Sequence, residues 1–178
     1  MVLATIVEIA GTIMTRRGHN NVMLYNLYWL VEFVLLVYIA RSIIAKPPVW
    51  SAIAIPAFLL LWASEFVLVW GRYQLVIYSV MVGAFLLVGI YLALLWELVN
   101  TWVGPLHRST TFWLCLAVLL YFGGAAPVLG SVNYFIGTDA RLAQQLFWVV
   151  RGLCVLKFLL MAVMFSRMTA PTQPTTSP

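Results

Sequence analysis

Five acidic side chains occur in the chain, and three of them stand where an acid is expensive. Glu8, Glu32 and Glu65 each interrupt a run of Val, Leu, Ile, Phe and Trp. An ionised side chain at the centre of a hydrocarbon span costs on the order of 2.5–3.5 kcal/mol on insertion scales, so each acid is expected to face protein and hold a partner. Asn21, Tyr25, Tyr28 and Glu32 recur at steps of four, three and four, one stripe of a helix. The basic candidates are Arg151, within the last apolar run, and Arg72, at the end of an earlier one. Together these residue types can fix an ion pair, share a proton or receive a polar ligand. With three carboxylates against one deep arginine, at least one carboxylate is expected to be protonated or to share a proton.

Other chemistry has little to build on. There is no G-x-S-x-G and no H-E-x-x-H, and the chain has only one Asp and two His. His19 and His107 are expected at opposite membrane faces, which gives no bis-histidine haem and no histidine metal cluster. Cys115 and Cys154 lack C-x-x-C spacing and read as small apolar residues. The expectation is a protein that is not an enzyme and holds no metal and no cofactor.

The elements that must position these groups follow from composition. The chain is 64% hydrophobic and 8% charged, with a mean hydropathy of +1.02; a soluble domain carries ~25% charged residues. This is an all-α polytopic transmembrane helix bundle by expectation, one domain over 1–167 with a disordered Thr/Pro-rich tail at 168–178. Five full spans are expected: Val22–Ile44, Val49–Trp70, Leu75–Val99, Phe112–Phe135 and Leu142–Phe165. Met1–Met14 reaches only ~21 Å at ~1.5 Å per residue and reads as a short N-terminal helix with Glu8 turned inward. Within the fourth span, Gly123-Gly124-Ala-Ala-Pro127 and Gly130-Ser131-Val-Asn133 permit two readings: close helix packing, or a broken helix lining a cavity.

Depth then pairs the charges. If the turns at 15–21, 71–74 and 136–141 share one membrane face, Glu32 and Arg151 lie about ten and nine residues below it. Glu8, Glu65, Arg72 and Asn133 belong to the same half. Arg151 is therefore the expected partner of Glu32, with Glu65 or Glu8 completing a triad and Tyr25 and Tyr28 capping the remaining lone pairs. Lys157 is expected to snorkel to the opposite face.

The run Asn20-Asn21, Leu24-Tyr25-Asn26 and Glu32-Phe33, with Glu8 before it and Phe112-Trp113 and Leu120-Tyr121-Phe122-Gly123 late in the chain, resembles a group of small uncharacterised bacterial polytopic membrane proteins. The resemblance implies a bacterial inner-membrane, multi-pass protein and a longer first helix than Met1–Met14, so a chain that begins late. It implies no activity.

The expected function is a membrane module whose half-membrane polar pocket binds a small ligand or partner helix, in sensing or as an accessory subunit. The alternative is a small proton-coupled transporter or channel titrating Glu32 or Glu65. The lipid bilayer is the expected partner, with another membrane protein or a second copy as further candidates. The net charge of +5 is spread over helix ends and forms no basic run for nucleic acid.

Overall fold

The structure, a computed structural model, describes residues 2–44, 49–69 and 76–168. Arg72, the side chain of Asn133 and the tail beyond 168 lie outside the described residues. Among the described residues six α-helices follow in order: α1 (Val2–Arg16), α2 (Val22–Ile43), α3 (Val49–Val69), α4 (Ile77–Thr101), α5 (Thr110–Thr138) and α6 (Ala140–Met168). Four stretches among the described residues are long and apolar enough to cross a membrane: Val22–Ile43, Ile77–Thr101, Thr110–Ser131 and Gln144–Arg167. Ile53–Leu68 of α3 is a shorter apolar helix.

Local chemistry sets the ends. Gly18, at a φ of 73°, takes the left-handed conformation that closes α1, and His19 N–H returns to the Met14 carbonyl at 2.9 Å. Asn20 Oδ1 accepts the Val22 N–H at 2.8 Å where α2 begins. Asp139 is the whole connection between α5 and α6. Its carboxylate accepts the Arg141 and Leu142 N–H groups at 3.0 and 3.1 Å, satisfying two donors that the first turn of α6 cannot.

α6 packs along α5, α5 against α4, and α4 receives both α2 and α3; α1 lies on α2. Close approach depends on small residues. Phe33 of α2 and Phe58 of α3 stack at 3.7 Å between ring centroids over Gly83 of α4. A Cβ on Gly83 would stand 2.7 Å from the Phe58 ring. Tyr91 of α4 donates its hydroxyl to the Leu36 carbonyl of α2 at 3.1 Å, inside this core.

α5 runs unbroken through Pro127. Its small residues serve packing rather than a break: a Cβ on Gly124 would stand 2.9 Å from Leu153 of α6, and one on Gly130 2.9 Å from Met81 of α4.

Candidate functional site

The polar stripe of α2 divides between two neighbours. At the end where α2 begins, it meets α1. Asn21 Nδ2 donates to Thr15 Oγ1 at 2.9 Å and to the Gly11 carbonyl at 3.4 Å. The Tyr25 hydroxyl donates to Glu8 Oε2 at 3.4 Å. Gly11 makes room for that ring, because a Cβ there would stand 2.7 Å from the Tyr25 hydroxyl. Glu8 thus turns towards α2 but stays exposed, so its expected inward burial is only half met.

Deeper along the stripe, Glu32 meets α6, and its partner is Lys157. Lys157 Nζ lies 2.7 Å from Glu32 Oε1, with side chains 2% and 12% exposed. The ammonium also sits 3.9 Å from the centroid of the Tyr121 ring, a cation–π contact from α5. Tyr28, one turn before Glu32, turns its hydroxyl to the same carboxylate. Next to the pair, Trp29 packs on Phe122 at 5.2 Å, and its buried indole N–H has no partner among the described residues. Cys154, half-buried one turn before Lys157, lies within electrostatic reach of Lys157, Glu8 and Glu32. Side chains of α1–α2, of α6 and, in Tyr121, of α5 thereby converge on one polar junction.

The expected Glu32–Arg151 pair is not formed. Arg151 is exposed, and its guanidinium lies 5.0 Å from the Trp148 ring centroid. Two physical reasons account for the correction. α5 and α6 are each 29 residues long, about 43 Å. Their hairpin therefore projects past the ~30 Å apolar thickness, and depth counted from Asp139 overstates how deep a residue lies. Glu32 is at the midpoint of α2, and Lys157 is within two residues of the midpoint of Gln144–Arg167. In addition, helical side chains lean towards the helix N-terminus. Lys157 therefore leans back towards Glu32 and not, as expected, towards the face at which α6 ends.

Glu65 belongs to a second site. It is buried, and its carboxylate accepts the Tyr78 N–H at 3.0 Å, the Ser79 N–H at 2.6 Å and the Ser79 hydroxyl. Those are first-turn donors of α4, whose positive dipole end also favours a negative charge. Asn26 of α2, 1% exposed, completes the cap: its Oδ1 accepts the Val76 N–H at 3.2 Å. The Trp62 indole of α3 donates to the Asn26 carbonyl at 3.3 Å. A side chain from α3 and one from α2 thus hold the start of α4. Pooling Glu8, Glu32 and Glu65 as one acidic excess is therefore incorrect, since each meets different donors.

The sequence singles out Asn26 and Tyr121 only through the resemblance, without a role, and leaves Ser79 and the pairing role of Lys157 unmarked. For Lys157 the signal existed, in the direction of side-chain lean. For Asn26 it was a lone amide one residue off the stripe, on the face shared with Trp29 and Phe33. No protein-family model, curated protein or solved structure matches the chain.

Proposed function

We propose that the chain is a non-enzymatic integral membrane module whose polar junction between α1–α2 and α6 binds a small polar ligand or the polar stripe of a partner helix, in sensing or as an accessory subunit. The observation that carries this reading is the Glu32–Lys157 ion pair at mid-depth, approached from one end by Tyr28, Tyr25 and Glu8. Beyond the pair, α2 turns Leu36, Val37 and Ala40 into the core, all buried and apolar. The polar route therefore covers half the thickness, which suits a binding pocket open on one side. A ligand or partner helix that brings both a positive and a negative group can meet Glu32 and Lys157 together without stranding either, and this is the chemistry the pair offers. The same pair is the one feature favouring the alternative, a proton-coupled carrier titrating Glu32, although a carrier needs the other half of the path.

In this reading α3 is the fifth crossing, α1 borders the polar junction, and the membrane is a bacterial cytoplasmic membrane, as the resemblance of the Asn20–Phe33 run implies. Reconstitution into liposomes tests it. The wild type is expected to conduct no protons above protein-free vesicles under a pH gradient. A small-molecule thermal-shift screen is expected to yield ligands whose effect disappears in the Glu32→Gln, Lys157→Met double variant. Proton flux abolished by Glu32→Gln would replace the binding module with the carrier.

A further inference from the structure

α6 carries a cation that the Glu32–Lys157 pair does not use: Arg151, which lies within electrostatic reach of the Tyr25 hydroxyl. Among the described residues, no carboxylate lies within salt-bridge distance of Arg151, although it falls in an apolar stretch long enough to span a membrane. It is exposed, its guanidinium sits over Trp148, itself 62% exposed, and with Gln144 and Phe147 the two line a shallow cavity of about 180 Å³. Spaced at i, i+4 and i+7, Gln144, Trp148 and Arg151 share one helix face.

Depth assigns this face its surroundings. Lys157 marks mid-depth through its contact with Glu32, and Arg151 comes six residues earlier in α6. At ~1.5 Å per residue its backbone is ~9 Å from the midplane, Trp148 ~13 Å and Gln144 ~20 Å. The hydrocarbon edge is at ~15 Å and the headgroup layer ends near ~20–22 Å. Arginine leans towards the helix N-terminus, here outward, so the guanidinium reaches the boundary between acyl chains and headgroups. An indole belongs at that boundary, and an amide beyond it is among headgroups.

We propose that Arg151, Trp148 and Gln144 form a binding site for the phosphate of a phospholipid headgroup. The guanidinium supplies a planar, permanently charged fork suited to two phosphate oxygens, and the Gln144 amide is placed to donate from above. Phe147 and Trp148 offer an apolar wall to the glycerol and upper acyl chain. The site lies beside the Tyr25–Glu8 contact, and its phosphate recognition does not depend on the function proposed for the Glu32–Lys157 pair.

Native mass spectrometry of the delipidated full chain tests the assignment, with dioleoylphosphatidylglycerol, dioleoylglycerol and inorganic phosphate as probes. The wild type is expected to retain phosphatidylglycerol with an affinity at least ~10-fold above that of Arg151→Gln, the scale of a lost charge-assisted hydrogen bond. Arg141→Gln removes the same charge from the same helix and is expected to change binding less than ~2-fold, because that side chain lies beyond the headgroup layer. Arg151→Lys keeps the charge without the fork and is expected between the two. Dioleoylglycerol and inorganic phosphate should not compete. Equal retention by wild type and Arg151→Gln overturns the site, and so does equal loss in Arg151→Gln and Arg141→Gln. Competition by dioleoylglycerol would reduce it to acyl-chain contact, and competition by inorganic phosphate to a free-anion site, each of which overturns the lipid assignment.

Discussion

Separating Glu32 from Lys157 should be far more damaging than removing both. At the 2.7 Å separation, an effective dielectric of ~20 gives a gross attraction of about 6 kcal/mol, which bounds the coupling from above. Stranding one member of a buried pair costs ~3–5 kcal/mol. Glu32→Gln leaves an ammonium that is 2% exposed and cannot reach water, but the Tyr121 face retains ~1 kcal/mol for it, so about 3 kcal/mol is expected. Lys157→Met strands a carboxylate that is 12% exposed and can escape by taking up a proton, which also places it near 3 kcal/mol. The double variant closes an apolar contact between Met and Tyr121 and should lose no more than ~1 kcal/mol. The coupling is then roughly 5 kcal/mol, read as a double-mutant cycle by equilibrium unfolding in mixed dodecylmaltoside and dodecylsulfate micelles. Arg151→Met in the same assay should stay within about 0.5 kcal/mol of wild type. Additive single effects, or an Arg151 loss as large as that of Lys157, would refute the pairing.

The cap on α4 gives a second measurement. Glu65→Ala should cost ~3–4 kcal/mol, because Tyr78 and Ser79 lose a charged acceptor in a buried place. Glu65→Gln, which keeps one acceptor oxygen, should cost about half of that, and hydrogen exchange at Tyr78 and Ser79 should accelerate in both. Asn26→Ala should cost ~1–3 kcal/mol and expose the Val76 amide to exchange without altering Tyr78. Glycine substitutions should separate rigid from yielding contacts: Gly83→Ala, facing the stacked Phe58 and Phe33 rings, should cost ~1–3 kcal/mol. Gly124→Ala meets only the end of the flexible Leu153 side chain and should cost under ~1 kcal/mol by the same unfolding assay.

The helices could be read from the chain because apolar length is a property of consecutive residues, and each expected span is helical to within a few positions among the described residues. The polar stripe was equally legible, since Asn21–Glu32 has helical spacing and Tyr25 and Tyr28 do face acids. What failed was comparison between helices. Arg151 and Lys157 differ by six residues, under two turns, and choosing between them needs the point where the membrane begins on α6. That point is hidden because α5 and α6 extend as helices beyond it, with only Asp139 between them. The second site was illegible for a different reason. Glu65 and Asn26 serve backbone N–H groups of α4, and a backbone donor leaves no mark in sequence.

Glu32 and Lys157 are separated by 125 positions. At ~5–20 residues per second, a ribosome takes roughly 6–25 s to bridge that interval. Throughout it, α2 has been made and its carboxylate has no ammonium to meet. The nascent chain must hold an unmatched acid at the insertion machinery, neutralise it with a proton, or lean it on a helper until α6 emerges. α6 therefore supplies the matching charge for α2 as well as a wall of the bundle. A chain released after Asp139 would keep an unmatched acid in α2, and a pulse-chase should show it as a shortened half-life that Glu32→Met restores.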